Sequence, residues 1–564
     1  MKKRFFNAFF YKNKLLFSIT MALVLGEVAY NLVISWLLGK VFDAVTAADL
    51  ALLFRRGWQC ALFIAVFLCW GPLMQKTSAL FARRGMEQYK RFAFQAITEK
   101  RISAFSRENT GRYLSALTND AGRIETDFLL NLPEMALQSV LFVATLVMMI
   151  LYDWRVAAAA MVLSMLPMSA TMLMSRGLEH RERAVSQRGE HFTASLKELL
   201  EGFAVIKSFR AENQSIAIFS QTNGSLEQAK ASRRFWEGML SIVGGACGMT
   251  LQFGLFFFCG VLAIRGEMTA GSVLVITNLC NCLIGPMRSL PQLWAKHRAA
   301  CGLVEKLADL TAENTTRQGK PLPPGEIPIR LEGLTFGYDP EKPVLRNVSL
   351  TFEPGKSYAV VGSSGSGKST LLSLLMGSWD HYGGSVTVGG QELRDTDPDS
   401  LYGGLSLVGQ SVFLFDDTIQ NNITLFRDFP EERVRDVVRR AGLENVMEQR
   451  GADYRCGENG NQLSGGERQR ISIARTLLQG AKVLLVDEAT AALDVQTACH
   501  VANAILDLEG LTRIVVTHRL EPSVLRRYDG IIMLKNGAVC EQGTFGELME
   551  AKGRFYALYT MANE

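Results

Sequence analysis

The chain has 564 residues, with 60 Lys and Arg against 55 Asp and Glu, so its formal net charge at pH 7 is only +5. This small excess excludes a protein that binds nucleic acid mainly through charge, and no nucleic-acid partner is expected. The length allows several domains and excludes a small disulfide-stapled scaffold. Long apolar runs occur only in residues 1–300, whereas residues 320–564 have a turn-rich α/β pattern. We therefore expect two domains of different kinds.

The ten cysteines do not form a recognisable framework. Most lie in apolar runs, and Cys280 and Cys282 have the wrong spacing and no nearby His for a zinc site. We expect small buried thiols in a reducing compartment. The first apolar run is too long for a cleavable signal peptide and no small-residue cleavage site follows it.

Six apolar segments have about the 20 residues that a helix needs to cross a bilayer. They are residues 15–38, 58–74, 135–151, 156–174, 239–264 and 272–290. Basic residues at positions 2, 3, 4, 12 and 14 precede the first segment, which predicts an N-terminus in the cytoplasm, although Arg55 and Arg56 run against that orientation. An even number of spans returns the C-terminal half to the cytoplasm.

Two long, charged connections are predicted on the cytoplasmic side, at residues 75–134 and 175–234. Within them, residues 110–120 and 198–207 each combine a glycine with a polar turn between helical stretches. Each is interpreted as the tip of a helical hairpin that extends beyond the membrane. The alternative is an ordinary solvated helical loop.

Polar side chains within two of the spans share one helix face each. Glu27, Tyr30 and Asn31 do so in the first span, and Asn278, Asn281 and Cys282 in the sixth. They either line a cavity that contacts substrate or form hydrogen bonds between helices. Both interpretations stay open.

The second half begins after a Pro-rich linker at residues 321–325. A predicted buried strand, 357–361, leads into a G-x-x-x-x-G-K-[ST] motif and a helix over 370–376. The motif consists of Gly362, Ser363, Ser364, Gly365, Ser366, Gly367, Lys368 and Ser369. Such a loop wraps phosphates with backbone N–H groups, its Lys reaches the β- and γ-phosphates, and its Ser hydroxyl ligates magnesium.

A second apolar strand, 483–486, ends in Asp487 and Glu488. An acid at that position holds magnesium in P-loop enzymes, and we expect Asp487 to do so through a water molecule. The next carboxylate, Glu488, can polarise the attacking water as general base.

Residues 463–470, Leu-Ser-Gly-Gly-Glu-Arg-Gln-Arg, resemble the signature of the ATP-binding cassette (ABC) family. The resemblance implies ATP and magnesium as cofactors. It assigns Tyr338 to adenine stacking, Gln410 to sensing magnesium and water, and His518 to the γ-phosphate. The remaining nucleotide-binding positions that it implies are Thr370, Ser464, Gly465, Gly466, Glu467 and Asp494. Members more often have Gln where this chain has Glu467, and Ser where it has Ala491.

The resemblance extends over essentially the whole chain and implies a half-transporter of the exporter type. It predicts an all-α six-helix transmembrane domain with two coupling-helix loops (1–310), a linker (311–328) and an α/β P-loop ATPase domain of the ABC type (329–564). In this family the signature of one subunit covers ATP held by another. A second copy or a homologous half-transporter is therefore the expected partner.

The expected function is ATP-driven movement of a lipophilic or amphipathic compound, a lipid or a peptide across the cytoplasmic membrane, by export. One alternative is import of a metal chelate by the same machine. Another is an ATP-gated channel or a signalling partner, against which the intact Glu488 and His518 argue. The sequence identifies neither the substrate nor the choice between homodimer and heterodimer.

Overall fold

The structure is a computed structural model that describes residues 2–100, 102–106, 108, 110–312, 319–339, 341–410, 412–488 and 495–563. The chain divides into two compact units. The first consists of Met1–Thr98 and Asn109–Ala312, and the second of Glu99–Glu108 and Glu313–Glu564. The short segment 99–108 thus groups with the second unit, whereas the sequence prediction assigned it to the first domain.

Long helices dominate the first part of the chain. In order they are α1 (Lys2–Phe10), α2 (Lys14–Thr46), α3 (Leu50–Thr98), α4 (Ile102–Ser106), α5 (Thr110–Leu117), α6 (Asn119–Ile124), α7 (Asn131–Tyr152), α8 (Trp154–Glu201), α9 (Phe203–Ser208), α10 (Glu212–Ile264) and α11 (Ala270–Ala312). A single π-helical turn, Glu125–Leu129, precedes α7.

Five helical segments of the described chain are long and apolar enough to cross a membrane. They contain the first, second, third, fifth and sixth predicted spans. Four of them are the helices α2, α3, α10 and α11, and the other is the segment Thr110–Tyr152, which ends with α7. The fourth predicted span falls at the start of α8, where a shorter apolar stretch, Trp154–Met165, is found. The apolar half is thus a multi-pass helical membrane unit.

The first predicted hairpin tip is largely helical in the structure. Residues 110–120 consist of α5, a turn at Thr118 and the start of α6, and the short α4 lies between α3 and α5. Gly111 is the second residue of α5, in the first turn, where backbone N–H groups have no partner within the helix and a glycine does not interrupt it. The second prediction, 198–207, meets a real break, because α8 ends at Glu201 and the short α9 follows Gly202.

Specific polar contacts join the turns at one end of these helices. Asp43, near the end of α2, accepts a hydrogen bond of 2.9 Å from the backbone N–H of Gly271 at the start of α11. Arg155 lies 2.7 Å from both Asp153 and Glu267, and so links the α7–α8 turn to the α10–α11 turn. These contacts fix the relative positions of the helix ends.

The described residues of the second unit form ten strands. They are β1 (Ile329–Phe336), β2 (Leu345–Phe352), β3 (Ser357–Val361), β4 (Gly383–Val388), β5 (Gln391–Glu392), β6 (Leu405–Val408), β7 (Val483–Asp487), β8 (Thr512–Val516), β9 (Gly530–Lys535) and β10 (Ala538–Gly543). Its helices are α12 (Lys368–Leu375), α13 (Pro398–Gly404), α14 (Ile419–Thr424), α15 (Glu431–Arg440), α16 (Glu444–Arg450), α17 (Gly465–Gln479), α18 (Val495–Leu506), α19 (Pro522–Leu525), α20 (Phe545–Glu550) and α21 (Arg554–Asn563).

Two sheets organise this unit. The smaller is antiparallel, in the order β2-β1-β4-β5, and the larger has the order β10-β9-β3-β8-β7-β6. Strands β9, β3, β8, β7 and β6 run parallel. One apolar core contains residues of both sheets, and a second contains residues of the large sheet and the helices α14 to α18. Because the strands are parallel, the loops after β3, β6, β7 and β8 meet at one edge.

All ten cysteines are free thiols, of which Cys69 and Cys540 are exposed. They are spread over both units, and several are buried among apolar side chains.

Candidate nucleotide site

The phosphate-binding loop lies between β3 and α12, where the sequence places it. Gly362, Gly365 and Gly367 all have positive φ angles, of 153°, 77° and 100°. A Cβ at Gly362 would lie 2.2 Å from the carbonyl oxygen of Leu534, so only glycine fits there. The resulting loop turns sharply into the N-terminus of α12, whose N–H groups and dipole favour an anion.

Lys368 is almost fully buried beneath this loop, with 4% of its surface exposed. Its Nζ donates hydrogen bonds of 3.0 Å to the carbonyl oxygens of Gly362 and Ser363. Both of these acceptors are neutral, so the two hydrogen bonds leave the charge of the ammonium group available to a phosphate.

Ser369 and Asp487 bring a hydroxyl and a carboxylate together from separate elements. The Ser369 Oγ donates a hydrogen bond of 3.0 Å to Asp487 Oδ1. These are oxygen ligands of the kind that magnesium prefers, and magnesium commonly completes its shell with water and substrate phosphates. No group of three or more His, Cys, Asp or Glu side chains able to hold a metal occurs among the described residues. The Ser369–Asp487 pair therefore fits magnesium carried by a nucleotide.

Glu488 is the centre of a second cluster. Its Oε1 lies 2.7 Å from His518 Nε2, and its Oε2 accepts a hydrogen bond of 3.4 Å from Gln410. Glu488 has a φ of 49°, a left-handed conformation that is rare outside glycine. A hydrogen bond of 3.1 Å from its backbone N–H to Val516 holds it there, just after β7. The three predicted catalytic side chains therefore meet.

Burial shifts the pKa of two charged groups at the phosphate loop. Burial lowers the pKa of Lys368, although Glu488 and Asp487 oppose that shift. Burial also raises the pKa of Asp487, although the hydrogen bond from Ser369 opposes it. Both shifts mark groups that lack solvation in the free protein. A triphosphate with a divalent cation would supply the missing opposite charges.

Tyr338, the predicted adenine-stacking residue, lies at the same site. The residue is 58% exposed. Its hydroxyl is 3.1 Å from the hydroxyl of Thr370, the third residue of α12. An exposed aromatic ring beside a phosphate loop can stack on a base.

The signature residues form the start of a different helix. Ser464 is the N-cap of α17, and its backbone N–H donates a hydrogen bond of 2.7 Å to Glu467 Oε2. The Glu467 N–H donates in return to Ser464 Oγ at 3.3 Å, which completes a capping box. In the part of the chain that the structure describes, no hydrogen bond or ion pair joins residues 464–467 to the phosphate loop.

Asp494 lies outside the described residues, as does Ala491. Sequence reasoning also missed Trp379, whose ring contacts that of Tyr338. The only signal for it was an aromatic residue shortly after the phosphate-loop helix.

The polar faces in the spans have mixed surroundings. Tyr30 stacks on Phe63 and Phe67 at centroid distances of 4.5 and 4.3 Å. Asn31 donates a hydrogen bond of 2.9 Å to the backbone oxygen of Glu27 within the same helix. By contrast, Glu27 Oε2 is buried and has no hydrogen-bond partner among the described residues. Ring stacking accounts for the position of Tyr30, and a hydrogen bond within the helix accounts for that of Asn31. Neither accounts for the buried Glu27 carboxylate.

A phosphate loop after β3, an acid at the end of the parallel strand β7 in the same sheet and a carboxylate beside that acid define a P-loop nucleoside triphosphatase. Residues 345–491 match the family model described as ABC transporter, and residues 16–287 match that described as ABC transporter transmembrane region. The two ranges together make up most of the chain. The protein therefore belongs to the ABC transporter family, as an ATPase-coupled half-transporter of the exporter type.

Two curated relatives are ATP-dependent lipid A-core flippases. The one from Vibrio cholerae is 29% identical over 482 residues, which cover 84% of this chain and 82% of the relative. The one from Escherichia coli strain K12 is 28% identical over 474 residues, 82% of this chain and 80% of the relative. A solved bacterial Atm1-family ABC exporter with ATP bound has the same fold, with a TM-score of 0.87, 22% identity and 98% coverage of both chains.

Proposed function

We propose that this chain dimerises in the cytoplasmic membrane and uses ATP hydrolysis to move a lipid, or another amphipathic molecule with a lipid-like apolar part, outward. The observation that carries the ATPase part is the meeting of Glu488, His518 and Gln410 beside the phosphate loop. The lipid part is supported by the two flippase relatives. The alternative, import of a metal chelate, has no support among the relatives compared.

In the proposed hydrolytic step, Lys368 and the N–H groups of the loop bind the β- and γ-phosphates. Ser369 and Asp487 would hold magnesium, which neutralises charge on these phosphates, with Gln410 beside it. Glu488 accepts the proton of the attacking water. His518 orients the Glu488 carboxylate through their 2.7 Å contact and reaches toward the γ-phosphate. Tyr338 stacks on the adenine.

One chain completes only half of each site in this proposal. The N-terminus of α17, with Ser464, Gly465 and Gly466, would bind the γ-phosphate held by a second chain. The capping box between Ser464 and Glu467 stabilises that N-terminus in the absence of ATP. The second chain is either an identical copy or a homologous half-transporter.

We further propose that the short helices α4 and α9 are the coupling helices. Helix α4 lies between the long α3 and the helical segment that starts with α5 and ends with α7, and α9 lies between the long helices α8 and α10. The grouping of residues 99–108 with the nucleotide-binding unit supports this role for α4. With the N-terminus in the cytoplasm, as the basic residues before α2 favour, both turns and the nucleotide-binding unit lie on the ATP side.

The test is reconstitution into liposomes with fluorescent phospholipid, lipid A-core or a control peptide added in turn. We expect ATP-dependent movement of a lipid between leaflets and faster ATP turnover in its presence. Glu488→Gln is the matched control, since it keeps the side-chain shape and removes the proposed base. Stimulation by a soluble peptide or chelate alone, without lipid movement, would contradict the proposal. Transport toward the nucleotide-binding side would overturn its direction.

A further inference from the structure

The ring of Tyr338 is held by a set of aromatic side chains. Its centroid lies 5.5 Å from that of Trp379 with an interplanar angle of 80°, and 5.3 Å from that of Phe336 at 79°. Both are edge-to-face contacts, the geometry that aromatic quadrupoles favour. The Tyr338 hydroxyl is fixed separately on Thr370. The plane of the Tyr338 ring is therefore set by Phe336 and Trp379, whereas its hydroxyl is held by Thr370.

Trp379 is itself anchored. It is partly buried and packs against the core between the two sheets, and its ring is 5.6 Å from that of Phe336, which is only 2% exposed. The ring of His381 also contacts Trp379, with a centroid distance of 5.5 Å and an interplanar angle of 89°. Tyr338, by contrast, is 58% exposed on the loop between β1 and β2. Trp379 is therefore held by the core, whereas the exposed Tyr338 depends on Trp379 and Phe336 for its ring orientation.

We propose that Trp379 is a positioning residue for the base of the nucleotide. Its contact with Tyr338 holds that ring at the angle in which one face stays open to adenine. A ring already ordered in the free protein loses less side-chain entropy when it binds. The inference rests on the proposed stacking role of Tyr338. It predicts that Trp379 affects binding of the base and leaves binding of the phosphates unchanged.

The experiment measures ATP turnover by the full chain in nanodiscs, together with inhibition by inorganic triphosphate, which has phosphates but no base. Trp379→Leu should raise KM for ATP about three- to tenfold, the range given by one edge-to-face aromatic contact. The kcat and the inhibition constant of triphosphate should stay within about twofold of wild type. Trp379→Phe, which keeps an aromatic edge, should restore most of the affinity.

Two controls separate this inference from the proposed nucleotide site. Tyr338→Ala should raise KM by itself, and adding Trp379→Leu to it should have no further effect. An equal rise in the triphosphate constant, or an undiminished effect of Trp379→Leu in the Tyr338→Ala background, would overturn the inference. An unchanged KM in Tyr338→Ala would instead refute the stacking role of Tyr338. If Trp379→Leu does not fold, Trp379→Met, which keeps most of the side-chain volume, replaces it. That variant must likewise raise KM for ATP and leave the inhibition constant of triphosphate unchanged.

Discussion

Glu467 offers a sharp test of the helix that would receive the γ-phosphate. Its carboxylate accepts the Ser464 N–H at 2.7 Å and is 3.7 Å from Arg450, with 13% of the side chain exposed. Glu467→Ala removes the acceptor and leaves a helix N-terminus with one unpaired N–H, at a cost of about 1 kcal/mol. That cost corresponds to about fivefold faster opening of the first turn of α17.

Glu467→Gln keeps an oxygen at the same reach and removes only the charge. We expect the first turn to open less readily than in Glu467→Ala and at most about two- to fivefold faster than in wild type, because a charge at a helix N-terminus contributes only about 0.3–1 kcal/mol. The same loss of negative charge should lower KM for ATP by about two- to fivefold, since the γ-phosphate would approach this N-terminus.

Hydrogen exchange of the peptide 463–470 in the full chain, without nucleotide, measures the opening directly. Strand β9 (Gly530–Lys535) supplies an internal reference that neither variant should change. Equal acceleration in the Gln and Ala variants would show that the charge, and not the capping geometry, stabilises the turn. A higher KM for ATP in Glu467→Gln would refute the placement of the phosphate at this helix.

Three further predictions follow from single residues. Lys368→Ala should abolish ATP binding, measured with labelled nucleotide, because it removes the buried cation at the loop; binding near wild-type strength would contradict its role. Asp529 accepts two hydrogen bonds of 2.8 Å from Ser357, which with neighbouring cations lower its pKa although burial opposes the shift. Asp529→Asn should therefore cost about 1 kcal/mol at neutral pH, allowing for its exposure. The difference from wild type should begin to shrink as the pH falls below about 4, the usual pKa of Asp, and vanish below the lowered pKa of Asp529; a difference that persists in strong acid would refute this cause. Glu27→Gln should change stimulation by substrate and leave basal ATP turnover unaltered, and loss of folding would instead identify Glu27 as a packing residue.

The nucleotide site was largely predictable because its signals are local. Strand β3 coincides with the predicted 357–361, and β7 extends the predicted 483–486 by the single residue Asp487. An apolar run bounded by a glycine-rich loop or by acids defines such a strand without help from distant residues. Parallel pairing then brings Gln410, Glu488 and His518 to one edge.

Other features depend on residues far apart in sequence and could not be predicted. The capping of α11 by Asp43 spans 228 positions, and Trp379 meets a tyrosine 41 positions earlier. The first predicted hairpin tip shows a different limit. The sequence analysis pairs Gly111 with a polar turn, but glycine is tolerated in the first turn of a helix, so Gly111 lies within α5 and the turn falls at Thr118.

The most direct test of the central claim is ATP turnover by this chain, purified alone in lipid nanodiscs, beside Glu488→Gln. We predict turnover in the wild type and a loss of about 10²- to 10⁴-fold in the variant, the usual contribution of a general base, with ATP binding retained. Undiminished turnover in Glu488→Gln would contradict the assignment of Glu488. Absence of turnover in a folded, ATP-binding wild-type chain would contradict a self-sufficient homodimer and require a second, different half-transporter.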